Sequence, residues 1–551
     1  MEERWASVAA VDFPQLIGPS YTSLSATAEV ERSMNLYLER IESGAGRNPF
    51  AMYKSPGLEV FSTSASPTKM VCRGLLELNG HLFDVQDDTI YDIDELGAVA
   101  ATYGPIALES QGVSMDASLN SLFVVSAGVL YRINSGVMVA SATPFSPIAV
   151  GVLSGLVVAI QKDTNRFYFS DDDGQTWGSL DYQTAEAYPN ALVNLVVDHQ
   201  ELWLFGNRRT QVFVLGDNPD APFVAVSAGV IEMGLSAKLG VTRIDNSIFW
   251  LGRNRNGDNI VWRANGYTPL RVSNHAVENA IRSYGTYSDA IMQSYQLNGH
   301  SCVRITFPSA NGGLGATWEY DISSNNWTEV GWWDAVAGRY ERHRGNFYVS
   351  AFNKIIVGDY KSGYLYSMSP DNYTDFGYPL RWERRCPHVT KDGKKIKYGR
   401  FDLFIQYGVG LVNPYFLNDY SMDRVTFDAA VAALLAAATI TVGQALAVTR
   451  NYVRLPYSLS VLSAVSLATL ATVGCYPWGL TPEVAMRYSN DGGNNYTSYS
   501  YRSMGMASAF GQRVYWNRCG MGRDRVWEIS GDAPVKTAIV QGTFEAEVCN
   551  F

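Results

Sequence analysis

The sequence predicts a mainly β protein: a β-propeller of about six to eight blades, joined to a further β-rich domain that holds an uncharged insertion. Three observations predict it. A strand-turn-strand phrase repeats with a period of 40 residues: Leu82-Phe83-Asp84-Val85 with Ile90-Tyr91-Asp92-Ile93, then Leu122-Phe123-Val124-Val125 with Leu130-Tyr131-Arg132-Ile133. A hairpin recurring at this period marks propeller blades. Aromatic residues make up 13% of the chain and Gly numbers 49, a mix that favours sheets and turns over helices. Past residue 380 the repeat is lost and the texture changes.

The elements follow in order. Residues 1–66 lack the repeat and read as an irregular or β segment that closes on the turn signal Pro56-Gly57. Blades are expected over 67–379. After the two matching phrases the repeat drifts through 156–159 with 167–169, 202–205 with 212–215, and 247–251 with 260–262. It ends with 302–307 and 317–320, then 346–349 and 354–357, giving about seven candidate blades. One helix interrupts them near 275–284, where Ala276, Val277, Ala280 and Ile281 recur at helical spacing. Residues 380–418 and 484–551 form the second β domain. Between them, 419–483 is rich in Ala, Ser and Thr, and neither 429–449 nor 455–481 holds a charge. Each run is long enough to span a bilayer, yet too poor in Leu and Ile to insert readily. The plain expectation is a packed helix or β extension; the functional one is a membrane-contacting tip.

Charge and cysteine usage exclude several classes. With a formal net charge of −10, the chain is not built to grip nucleic acid by its phosphates. Arg381, Arg384, Arg385, Lys391, Lys394, Lys395, Lys397 and Arg400 form a local basic cluster. It reads either as a solvated surface or as an inter-subunit contact for an acidic neighbour. Six scattered cysteines show neither a CxxC pair nor zinc spacing, so free thiols of a reducing cytoplasm are expected. The start, Met-Glu-Glu-Arg, lacks the pattern of a secretory signal.

Two turns fit the Asp-box pattern S-x-D-x-G-x-T-W. Ser170, Asp172, Gly174, Thr176 and Trp177 match at every fixed position; Ser489, Asp491, Gly493 and Tyr496 match with Asn495 for Thr and Tyr for Trp. The Asp is placed to accept from turn amides, the Gly to take positive φ, and the aromatic to fold back on the hairpin. Asp boxes occur in sialidases, so a glycosidase is one alternative, and a propeller that binds host-surface glycans is another. The box itself does no chemistry. Neither HExxH, a G-x-S-x-G elbow nor a Walker loop is present, so no catalytic, metal or cofactor residues are assigned. Val303-Arg304-Ile305-Thr306 only faintly echoes a sialidase start. Trp327, Trp332 and Trp333 read as packing before they read as a sugar platform.

Several phrases together resemble the tail nozzle, or packaged-DNA stabilisation, proteins of short-tailed bacteriophages. They are Asn35-Leu36-Tyr37 with Lys54-Ser55-Pro56-Gly57; Leu202-Trp203-Leu204-Phe205-Gly206; Pro269-Leu270-Arg271-Val272-Ser273 leading to Val277 through Tyr284; and Asp491-Gly492 with Arg513-Val514-Tyr515-Trp516. The resemblance spans about 32–545 and implies a non-enzymatic virion protein assembled in the host bacterial cytoplasm. It implies a homohexameric ring below the portal–adaptor that closes the DNA channel after packaging, retains the genome and conducts it out on infection. The second domain would then be a platform and fibre dock, and 419–483 a candidate nozzle tip. Implied partners are other copies of the chain, portal–adaptor proteins, tail fibre or tailspike proteins, genomic dsDNA passing without specific binding, and the host outer membrane through 419–483. The uncharged insertion departs from shorter members of the family.

Overall fold

The computed structural model describes residues 10–43, 48–63, 71–186, 190–253, 259–334, 337–409 and 482–549, with Gly257 and short pieces between 415 and 479. The chain divides into two compact units: 60–323 with 342–367, and 1–59 with 324–341 and 368–551.

The first unit is the propeller. Four consecutive four-stranded antiparallel sheets occupy 72–103, 114–140, 147–184 and 192–231, and a five-stranded sheet occupies 234–271. A sixth blade follows with Ile291–Leu297, His300–Phe307 and Ala316–Asp321. The seventh contains Gly345–Ala351, Lys354–Asp359 and Leu365–Ser369, and gains Gly57–Ser62, a strand whose last three residues open this unit. The ring closes where Gly345–Ala351 packs beside Cys72–Leu78. Six blades thus follow one another along the chain, and an earlier strand completes the seventh.

The period-40 phrase is the second and third strand of a blade. Ser121–Ser126 pairs with Val129–Asn134, Leu122 facing Ile133 and Val124 facing Tyr131. The turn between them uses Ala127 and Gly128 at φ 48° and 82°, the left-handed pair that a two-residue hairpin needs. All six residues of Ser121–Ser126 are buried, because both faces of a middle strand are covered. Side chains alternate across a strand. Leu122 and Val124 therefore join Val85 and Ile90 of the first blade, while Phe123 and Val125 join Val150, Val157 and Trp177 of the third. Glycine permits close approach at the innermost strands: a Cβ on Gly151 would lie 2.4 Å from Leu195 Cδ1.

The helix His275–Tyr284 forms where the spacing placed it, capped by Asn274, whose Oδ1 accepts from the Val277 amide at 3.0 Å. Ala276, Val277 and Ile281 are buried, as is Glu278, which pairs with Arg271 at 2.6 Å.

The second unit is a sandwich of two sheets. One runs in the order Leu36–Arg40, Phe50–Lys54, Ala538–Val548, Ile396–Ile405, Val514–Asn517; the other contains Val30–Met34, Trp382–Arg385, Asp524–Gly531, Glu483–Ser489 and Ser500–Ser503. Their shared core includes Leu36, Trp382, Tyr398, Phe401, Trp516, Trp527 and Phe544. Long-range pairing recruits the first strands of the chain here, so 324–341 and 368–379, expected in the propeller, cluster with this unit, and 60–63 clusters with the propeller. Just before the insertion, Tyr415–Asn418 pairs with both Arg454–Pro456 and Cys475–Gly479 of the insertion in a small antiparallel sheet. The rest of 419–483, on which the tip expectation falls, lies mostly outside the described residues. Among the described residues, no helix is long and apolar enough to cross a membrane.

Candidate functional site: the propeller axis and the charged turns

Residues from all seven innermost strands, Gly74, Asp116, Val150, Asn194, Arg243, Gln293 and Phe347 among them, line a cavity of about 350 Å³ on the propeller axis. Seven strands converge there because each blade begins at the axis and zigzags outward. Asp116 is tied down by the amides of Ala117 and Val152, and Arg243 donates to the Val197 carbonyl. The lining polar groups are thus engaged with neighbouring backbone.

Both Asp boxes form as turns. Asp172 accepts from the amides of Gln175 and Thr176 at 2.9 and 3.0 Å, and from the hydroxyls of Ser170 and Thr176, both at 2.7 Å. Partial burial alone would raise its pKa; these bonds outweigh that and bring it down to about 2. Gly174 sits at φ 71°, and Trp177 Nε1 donates to the Gly174 carbonyl while its ring packs edge-on against Phe145. The neighbouring Asp173, an unconstrained position of the pattern, has a role that sequence reasoning missed. It accepts from Ser118, Ser121 and Arg132 of the second blade and so bolts the third blade to the second. Its only advance signal was an extra acid beside the box.

In the second box Asp491 accepts from Ser489 at 2.5 Å, from the Asn494 and Asn495 amides, and from the Asn495 side chain, which lowers its pKa to about 2. Gly493 lies at φ 90°. Tyr496 lies under the guanidinium groups of Arg385 and Arg487.

The basic cluster divides. Arg384 is fully buried: it pairs with Glu31 and donates to the carbonyls of Gln15, Leu16 and Pro19. Arg381 stacks on Trp333 and donates to Tyr499 and Ser530. Arg385 pairs with Glu528 at 3.2 Å, and Arg400 with Asp402 at 2.6 Å. These arginines hold the sandwich together, and Arg384 has no surface to offer a neighbour. Lys391, Lys394, Lys395 and Lys397 remain exposed on one turn and strand.

The sialidase echo places arginine, glutamate and tyrosines together. Arg304 pairs with Glu319 and reaches Tyr295 and Tyr348 at 3.1 and 3.0 Å. Its side chain is only 2% exposed and that of Glu319 3%, so a substrate carboxylate has no route to the guanidinium. His343 completes this cluster, and burial followed by the charges of Arg304 and Arg344 holds its pKa well below the usual value. Trp327 and Trp332 are buried, so the three tryptophans form no open platform. Among the described residues no group of three or more His, Cys, Asp or Glu could hold a metal ion. Cys72, Cys302, Cys386 and Cys519 are free and buried.

The fold is that of a closed β-propeller carried on one chain with a β sandwich. A family model described as bacteriophage P22 Gp10, beta-propeller, matches residues 33–373. The chain belongs to this phage-stabilisation, or tail nozzle, family of structural phage proteins. No curated protein matches. Among solved structures, a computationally designed protein, Ika8, is similar at 12% identity, with 56% of this chain and 99% of that one covered and a TM-score of 0.34. The extracellular domain of a one-component system from B. thetaiotaomicron is similar at 7% identity, with 59% and 41% covered and a TM-score of 0.36.

Proposed function

We propose that this chain is the nozzle subunit of a short phage tail. Six copies form a ring below the portal–adaptor, close the DNA channel after packaging, retain the genome and conduct it into the host. The family match over 33–373 carries this reading. The innermost strands leave only a cavity of about 350 Å³ on the propeller axis, so on this reading the DNA conduit lies between copies and not through a propeller. A net charge of −10 suits a conduit along which DNA slides without adhering.

Portal–adaptor and tail fibre or tailspike proteins are the proposed neighbours, and the exposed lysines at 391–397 are the proposed contact for an acidic one. The insertion 419–483 is the proposed tip, reaching the host outer membrane. The test is electron microscopy of particles carrying a labelled chain, together with particles whose chain lacks 419–483. Label in the tail below the portal is expected, and the deletion is expected to leave rings intact while genome retention or delivery fails. A chain absent from the tail would end the nozzle reading; a deletion that abolished rings would end the tip assignment.

A further inference from the structure

The propeller unit holds 27 Asp and Glu against 19 Lys and Arg, and so carries −8 of the chain's −10. Its outermost strands depart from that balance. Val99–Tyr103, Val137–Ala140, Tyr182–Thr184 and Phe223–Ile231 end the first four blades. Their 21 residues contain no charged side chain and no proline, whereas 17% of the chain as a whole is charged. At that average, about four charges would be expected.

These strands are also apolar and open. Val137 is 61% exposed, Val139 54%, Val224 52%, Val99 38% and Val230 37%. Among the described residues each strand pairs with another strand on one side only, and on the outer edge of Phe223–Ile231 only Phe223 is engaged, by the Gln183 side chain. Soluble proteins guard such edges with lysine, proline or inward-pointing charge, because an apolar edge recruits another chain. None of those guards is present in these four strands.

We infer that this rim of the first four blades is where the propeller of one copy meets a second copy of the chain, an assignment that rests on the ring proposed above. Charge selects the occupant. Two bodies that each carry −8 repel wherever acids face acids, and this repulsion is weakest where the surface carries none. Screening confines the effect to about 8 Å at physiological ionic strength, so the charges at the contact itself decide. A basic partner would instead be met by an acidic face, which the rest of the propeller supplies.

The full chain is compared with Val139→Lys and Val224→Lys, both at exposed positions, by sedimentation over a concentration series. Wild type is expected to self-associate, and each variant to do so at least tenfold more weakly with an unchanged melting temperature. Glu77→Lys, an exposed charge on an inner strand, is expected to leave association unaltered. A wild type that stays monomeric at its highest soluble concentration overturns the inference. So do variants that associate like wild type, or variants that lose only the binding of a different virion protein. Particle imaging separates the two readings: if wild type is found in the tail and both lysine variants assemble there equally well, the rim assignment alone falls.

Discussion

Asp84 offers the sharpest test of the propeller's interior. It lies in the first repeat phrase, fully buried, where the first blade meets the seventh. Gln86 Nε2 donates to Asp84 Oδ2 and to the Gly363 carbonyl, and the Cys72 thiol also bonds to Asp84, but among the described residues no cation approaches and Asp84 Oδ1 has no hydrogen-bond partner. Asp359 of the seventh blade, equally buried, is instead paired with Arg344. Burial raises the Asp84 pKa to about 7, and the bonds from Gln86 and Cys72 only partly oppose it. The folded state therefore holds a proton that the unfolded chain releases near 3.9. Between those values the folded form binds more protons, so stability falls as pH rises from about 4 to about 7. The span of about three pH units corresponds to roughly 4 kcal/mol. Asp84→Asn keeps the shape and removes the titration. The variant should match wild type near pH 4 and exceed it at pH 8 by several kcal/mol, a calorimetric shift of several degrees for a unit of this size. Scanning both proteins from pH 4 to 8 checks it. A difference that is constant with pH would refute the idea that Asp84 is a buried neutral acid.

Other outcomes follow from the same structure. Asp173→Ala unbolts the third blade from the second and should lower propeller stability by about 1–3 kcal/mol, read as an earlier calorimetric transition, while Asp171→Ala, exposed on the same turn, should change little. Glu319→Gln leaves Arg304 buried without its countercharge and should cost about 3–5 kcal/mol; the double change with Arg304→Met should recover much of it, measured by denaturant unfolding. Arg384→Ala should destabilise the sandwich, whereas Lys394→Ala with Lys395→Ala should leave the melting temperature unchanged and weaken only assembly, as followed by sedimentation. Asp172 and Asp491 have depressed pKa values, so their contributions are fully present above about pH 4 and are lost as pH falls toward 2; replacing either by Asn should flatten the acid limb of the melting profile.

Local order was legible from the chain alone. The period-40 phrase, the Ala127-Gly128 turn, the helix from His275 and both Asp boxes each depend on neighbours within a few residues, so spacing and turn chemistry sufficed to locate them. Seven candidate strand pairs became seven blades for the same reason. Partnership between distant segments was not legible. Arg381, Arg384, Arg385 and Arg400 stand close in sequence to exposed lysines, yet Glu31 and Glu528 from other strands pair with Arg384 and Arg385, Asp402 of its own strand pairs with Arg400, and the Tyr499 and Ser530 hydroxyls hold Arg381. Asp173 looked like a spare acid until the second blade supplied Ser118, Ser121 and Arg132. Gly57–Ser62 gave no sign that it would complete the last blade, because that pairing spans some 300 residues. Sequence determines which segments become strands and turns, since those preferences are local. Tertiary structure decides which charges are spent inside the fold and which edges stay open, since burial and pairing depend on segments that the chain brings together only when it closes.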